Sequence, residues 1–160
     1  MAEITVTYTD GRDEDFVALC AQLDAVLARE ALDNAVQERL DLFCLLDGLD
    51  DAFVARVDGR PAGCVAFKSA GGGVAEMKRM FVRSECRGGG VAQKLLAALE
   101  EKAVEKGFSA LVLETGKHLE SARRLYAKAG FAIIPNFGIY AEMPGSVCMR
   151  KELGEGGASA

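Results

Sequence analysis

The sequence predicts an α/β (α+β) fold: a mixed, mostly antiparallel sheet of about six to seven strands with helices on both faces. Three observations predict it. Between residues 52 and 82, three strand-like runs follow one another through tight turns. A glycine triplet, Gly88-Gly89-Gly90, then separates the last run from a strongly amphipathic helical pattern. Beyond that helix, residues 110–113 are wholly apolar, the mark of a buried central strand. A strand reached through a helix lies parallel to the one before it.

Residues 4–8 alternate apolar side chains with threonine and read as the first strand. Residues 10–13 supply turn and helix-capping groups. Phe16, Leu19, Cys20, Leu23, Val26 and Leu27 then recur at helical spacing. A break falls at residues 30–34, with Asp33 and Asn34 as cap candidates, and Val36, Leu40 and Phe43 carry a second helix to about residue 46. Residues 52–57 and 63–68 alternate as strands around the turn signal Asp58-Gly59-Arg60-Pro61, which makes a hairpin. Gly71-Gly72-Gly73 loops to the strand at 74–82. Leu95, Leu99 and Ala103 form the stripe of the central helix, which Gly107 ends as a C-cap. Leu119, Ala122, Leu125, Tyr126 and Ala129 mark a further helix closed by Gly130. Residues 131–134 and 146–151 read as the last strands, around a loop at 135–145 rich in Pro, Asn and Gly. Residues 1–153 form a single domain, and the small-residue tail 154–160 is expected to be disordered.

A chain of 160 residues, half of them apolar, is one domain long enough to bury a core. A net charge of −5 excludes the basic surplus of a nucleic-acid-binding face and mildly favours cationic substrates. No apolar run approaches the roughly 18 residues of a membrane span, so no membrane partner is expected. The five cysteines are scattered without CxxC spacing and there is one histidine, so no metal site is expected. Scattered thiols without a secretion signal point to the cytoplasm.

The chemistry concentrates where the strand at 74–82 meets the glycine triplet and the helix after it. The first N–H groups of a helix lack intrahelical partners and carry the positive end of its dipole, so they suit a phosphate. Glycines let that phosphate approach the backbone, and Arg87 adds a formal charge beside it. A Walker A loop is excluded, because Gly90 is followed by Val91-Ala92 rather than Lys-Ser/Thr. A dinucleotide fingerprint is excluded because its third glycine position falls on Val91 or Gln93. The residues alone therefore imply a phosphate or pyrophosphate held at a helix N-terminus.

Arg87-Gly88-Gly89-Gly90-Val91-Ala92 resembles the Arg/Gln-x-x-Gly-x-Gly/Ala signature of the GNAT superfamily of acetyl-CoA-dependent N-acetyltransferases, and Leu95-Leu96 follows where that family has a hydrophobic pair. Leu125-Tyr126-Ala127-Lys128-Ala129-Gly130-Phe131 resembles its second hallmark, a helix with a tyrosine ending in Gly-Phe. The pattern covers roughly residues 52–153. The resemblance implies that the strands at 75–82 and 110–113 splay apart to admit the pantetheine arm of acetyl-CoA. Main-chain groups of Met80, Phe81 and Val82 would pair with that arm, and Arg87, Gly88, Gly89, Gly90, Val91 and Ala92 would hold the pyrophosphate. Many members carry an asparagine three residues before the helix alanine; here that position is Leu119, so the cofactor contact is missing or comes from Ser121. The early helical pair would lie beside the acceptor cleft.

Acetyl transfer to an amine needs a base, an oxyanion donor and an acid for the leaving thiolate. By resemblance Tyr126 is that acid, since a phenol with a pKa of about 10 keeps its proton at neutral pH; otherwise it fills the stripe of its helix. Glu76 matches a glutamate that serves as base in some members; otherwise it is a strand-edge charge or a partner of Lys78 or Arg79. Glu114, Thr115 and Tyr140 are acceptor-pocket candidates, Glu114 being also an alternative base, and Asn136 shares the loop of Tyr140. His118 reads as a surface or capping residue, and Cys86 as a reactive thiol beside a helix start or an ordinary loop cysteine.

The sequence thus predicts an N-acetyltransferase acting on a small-molecule or peptide amine by direct attack in a ternary complex, with acetyl-CoA as co-substrate. A non-catalytic acyl-CoA-binding or sensing module is the alternative, and Tyr126 favours the enzyme, since a sensor needs no acid at the sulfur. Members of the family often form homodimers, but no surface in the sequence declares an interface.

Overall fold

The computed structural model describes residues 2–30 and 49–154. The helix expected at 36–46 and residues 155–160 of the expected tail lie outside the described residues. Seven strands form one sheet: β1 (Ile4–Thr9), β2 (Asp51–Val57), β3 (Arg60–Gly71), β4 (Val74–Val82), β5 (Ala110–Gly116), β6 (Ala132–Ile134) and β7 (Ser146–Glu152), in the order β1-β2-β3-β4-β5-β7-β6. Three α-helices are described: α1 (Glu14–Glu30), α2 (Val91–Glu105) and α3 (Glu120–Lys128). None of the described helices is long and apolar enough to cross a membrane. The mixed, mostly antiparallel sheet is the predicted one, with β4 and β5 its parallel pair.

The chain packs as two compact units, Met1–Phe67 with Arg79–Leu95, and Lys68–Lys78 with Leu96–Ala160. In the first, the Asp13 carboxylate accepts from the Phe16 N–H at 3.0 Å and starts α1 as its N-cap. Glu14 and Asp15 in the first turn and Arg29 in the last complement the helix dipole. The stripe Phe16, Leu19 and Cys20 packs with Leu49, Ala52, Val54, Cys64, Ala66 and Phe81, with Leu23 and Val26 at the margin. Arg56 on β2 bonds Asp15 on α1 at 2.6 Å. The β2–β3 hairpin is tighter than the four-residue turn signal suggests. Asp58 and Gly59 are its two turn residues, with φ of +50° and +84°, the mirror-image turn that matches strand twist. Pro61 therefore falls inside β3, next to a bulge where the register slips between Ala55 and Arg56.

In the second unit, β5 is longer than its apolar run. Antiparallel pairing with β7, from Ala110↔Glu152 to Gly116↔Ser146, carries it on through Glu114 and Thr115. The polar residues that ended the sequence pattern are thus held in strand by a partner more than thirty residues away. The parallel ladder of β4 with β5 registers Val74–Glu76 against Ala110–Val112. Helices α2 and α3 both end on a Schellman cap. Gly107 (φ +90°) follows α2, with the Phe108 N–H on the Ala103 carbonyl and the Gly107 N–H on that of Val104, both at 3.0 Å. Gly130 (φ +105°) follows α3, with the Phe131 N–H on the Tyr126 carbonyl at 2.9 Å and the Gly130 N–H on that of Ala127 at 3.1 Å. Lys151 adds a donor at the second end, bonding the Ala129 carbonyl at 2.6 Å while pairing with Glu100 at 2.7 Å.

Candidate active site

The glycine loop has the geometry its sequence predicts. After β4 the chain makes one 3₁₀ turn, Ser84–Cys86, and Arg87 Nε donates to the Val82 carbonyl at 3.1 Å. Gly88 and Gly90 take φ of +84° and +92°, the left-handed region in which a side chain is strained. The Gly90 carbonyl accepts from the Lys94 N–H at 3.1 Å, so Gly90 is the N-cap of α2. The N–H groups of Val91, Ala92 and Gln93 then have no partner within the helix, and its first turn holds no acidic residue. A Cβ added at Gly88 or Gly90 would meet nothing within 4 Å, so the space above the loop is open to an anion. The sequence singles out Val91 and Ala92, and Gln93 shares their first turn.

Before the loop, Phe81 is buried and Met80 and Val82 are half-buried at the end of β4. Arg79 departs from strand geometry with φ of +62°. Such a conformation costs on the order of 1–3 kcal/mol and persists where neighbours fix it. Here Arg79 Nη2 donates to the Cys20 carbonyl at 2.9 Å and to Asp24 at 2.7 Å, while the Arg79 carbonyl accepts from Cys64 Sγ at 3.3 Å. No sequence signal marks this break. Among the described residues Cys20, Cys64, Cys86 and Cys148 form no disulfide. Interaction with Cys64 and Arg79 lowers the Cys20 thiol, while interaction with Cys20 and burial raise Cys64.

In the second unit, Glu76 is 8% exposed, a buried carboxylate rather than a solvated strand-edge charge. The Tyr140 hydroxyl donates to its Oε2 at 2.6 Å, and Lys78 Nζ lies 3.5 Å from the same oxygen. The structure thus joins two predicted site residues, and of the two partners considered for Glu76 it supplies Lys78. Glu114 accepts from Ser146 Oγ at 2.6 Å, and Thr115 beside it is buried. Ser146, itself buried, was not foreseen as its partner, because that pairing follows from the β5–β7 register. Asn136 pins its own loop, its Nδ2 donating to the carbonyls of Met143 at 3.2 Å and Ser146 at 3.0 Å. His118 is exposed and packs against Gly116, where an added Cβ would lie 2.7 Å from its ring.

Leu119 stands at the N-cap of α3 and gives no side-chain cap, and Ser121 is exposed in the first turn. Tyr126 is buried on α3 with its ring edge-on to Phe131, centroids 5.9 Å apart. Burial pushes the phenol well above its usual range. Among the described residues no group of three or more His, Cys, Asp or Glu could hold a metal ion.

Residues 20–131 match the Acetyltransferase (GNAT) family. The chain belongs to that family. It is an acetyl-CoA-dependent N-acetyltransferase. An IAA acetyltransferase of Azospirillum brasilense is 36% identical over 154 residues, 96% of this chain and 100% of that protein. A candidate acyl-CoA N-acyltransferase from Klebsiella pneumoniae superposes with a TM-score of 0.77 at 37% identity, over 94% of this chain and 97% of that one. The PaiA N-acetyltransferase of Thermoplasma acidophilum, solved with coenzyme A, shares the GNAT fold at 16% identity, with a TM-score of 0.70 over 94% of this chain and 99% of that one.

Proposed function

We propose that this GNAT enzyme acetylates a primary amine of a small molecule or peptide by direct attack within a ternary complex, in the cytoplasm. The observation that carries the reading is the buried Tyr126 phenol, which its surroundings keep protonated. The free N–H groups of Val91, Ala92 and Gln93, the loop Gly88–Gly90 and Arg87 receive the pyrophosphate of acetyl-CoA. Main-chain groups of Met80–Val82 receive its pantetheine arm, and Leu119 and Ser121 lie against the cofactor. An amine that arrives neutral attacks the thioester carbon with its lone pair. Glu76 takes the proton that the nitrogen sheds, the C–S bond breaks, and Tyr126 gives its proton to the sulfur. One proton has then moved from nitrogen to sulfur, and solvent returns the Glu76 proton to the Tyr126 oxygen. Glu114 and Thr115 face the acceptor.

Acetyl-CoA binding by calorimetry tests the loop. Gly90→Glu places bulk and negative charge against the pyrophosphate, and wild-type binding should be lost in the variant. Binding that survives removes the loop from the site. Initial rates with a panel of primary amines test the mechanism. Direct attack gives intersecting double-reciprocal lines; parallel lines with an acetylated Cys86 would replace it by a ping-pong route.

A further inference from the structure

Glu76 and Lys78 stand two apart on β4 and so share a face of the strand. Their side chains are only 11% and 15% exposed. Tyr140 reaches them from a loop 64 residues later. Its hydroxyl donates to Glu76 Oε2 at 2.6 Å and accepts from Lys78 Nζ at 3.3 Å, and Lys78 Nζ also lies 6.0 Å from the centre of its ring.

The loop is built to hold this ring. Phe137 packs edge-on against Tyr140 with centroids 5.4 Å apart, and the Tyr140 N–H bonds the Phe137 carbonyl at 2.9 Å. The Met143 N–H returns to the Tyr140 carbonyl at 3.0 Å, and Asn136 closes the loop onto Met143 and Ser146. A general base is effective only in hydrogen-bond reach and correctly oriented, which requires support from residues that do not themselves react. Both contacts to Glu76 fall on one oxygen, Oε2, which leaves Oε1 for the acceptor.

We propose that Tyr140 is the positioning residue of the base: its hydroxyl and Lys78 clamp Oε2 of Glu76, so that Oε1 meets the proton of the attacking amine. This rests on the reading of Glu76 as base. It also assigns the 135–145 loop a role in the chemical step, where the sequence offered Tyr140 only as a pocket residue.

A double-mutant cycle tests it, with the amine panel as acceptors and kcat and KM measured separately. If no amine is turned over, the cycle is read on acetyl-CoA hydrolysis, in which water takes the place of the amine. E76Q should lower kcat about 100-fold and Y140F about tenfold, with the KM for acetyl-CoA unchanged in both. In the E76Q background, Y140F should cost nothing further, because the carboxylate it orients is gone. K78M should behave as Y140F does. Equal losses from Y140F in both backgrounds would mean that Tyr140 acts elsewhere and would overturn the proposal, as would a Y140F enzyme with wild-type kcat. A wild-type kcat in E76Q would remove Glu76 as base and the clamp with it. Acetyl-CoA calorimetry on the same proteins separates that outcome from a failure of the cofactor loop.

Discussion

Helices α2 and α3 end on the same cap and differ in one residue that the cap does not require. Each has a left-handed glycine, Gly107 or Gly130, followed by a phenylalanine whose N–H reaches back to the carbonyl five residues earlier. At that earlier position α2 carries Ala103 and α3 carries Tyr126. The Gly-Phe half of the second family hallmark is therefore a helix stop, explained by backbone geometry alone. The tyrosine is the surplus. An alanine closes α2 at the same place, so the phenol at α3 is present for something other than ending the helix. The edge-on contact of Tyr126 with Phe131 packs its ring and does not involve the hydroxyl, to which the proposed function gives the role of acid.

The largest test of this contrast is Y126F. It keeps the ring and the cap, so thermal stability should stay within about 2 °C of wild type. If the phenol protonates the sulfur, kcat should fall about 100-fold or more while acetyl-CoA still binds. A stability loss with unchanged turnover would make Tyr126 a packing residue and dissolve the distinction between the two helix ends.

Next comes the phenylalanine. Phe131 is buried and Phe108 only half-buried. F131A should destabilise by about 3–4 kcal/mol, and F108A by about half as much, in denaturant unfolding. Equal costs would mean that the tyrosine contact adds nothing to the second cap. The glycines follow. G107A places a Cβ in open space and pays only for its φ, about 1 kcal/mol. G130A also crowds Lys151, whose Cε would lie 3.1 Å away, and disturbs its bond to the Ala129 carbonyl. About 2 kcal/mol is expected, and a G130A no worse than G107A would show that Lys151 swings aside freely.

These ends also show what was legible in the sequence. The glycine loop and both caps are local: a positive φ demands glycine, and an amphipathic stripe fixes where the helix begins and ends. The strands of the meander announced themselves by alternation. Features made by distant pairing did not. Residues 114–116 continue β5 only because β7 lies beside them. Glu76 reads in the sequence as either a base candidate or a strand-edge charge, and only the fold shows it buried with a hydrogen bond from Tyr140 on the far loop. Arg79 has a left-handed φ that nothing in its own sequence requires, and its supports, Cys20, Asp24 and Cys64, lie on α1 and β3. Local signals marked the glycine loop and the helix that carries Tyr126; the contacts of Glu76 with Tyr140 had to be seen in three dimensions.

The smallest effect is silent at neutral pH and appears only in alkali. An unfolded tyrosine ionises at about 10.0, whereas burial holds the Tyr126 phenol above that value in the folded chain. Above pH 10 the unfolded chain therefore binds fewer protons than the folded one, and stability falls as pH rises. Below pH 10 both states are protonated and the preference is fully satisfied. Unfolding measured between pH 9 and 11.5 should show wild type losing stability faster than Y126F, by up to about 1.4 kcal/mol per pH unit. The difference between the two proteins cancels the contributions of Tyr8 and Tyr140, which both retain. The same shift requires that any alkaline fall in kcat below pH 10 come from a group other than Tyr126. Parallel stability curves would mean that the phenol ionises as easily in the folded chain as in the unfolded one, and α3 would then hold its tyrosine no more specially than α2 holds Ala103.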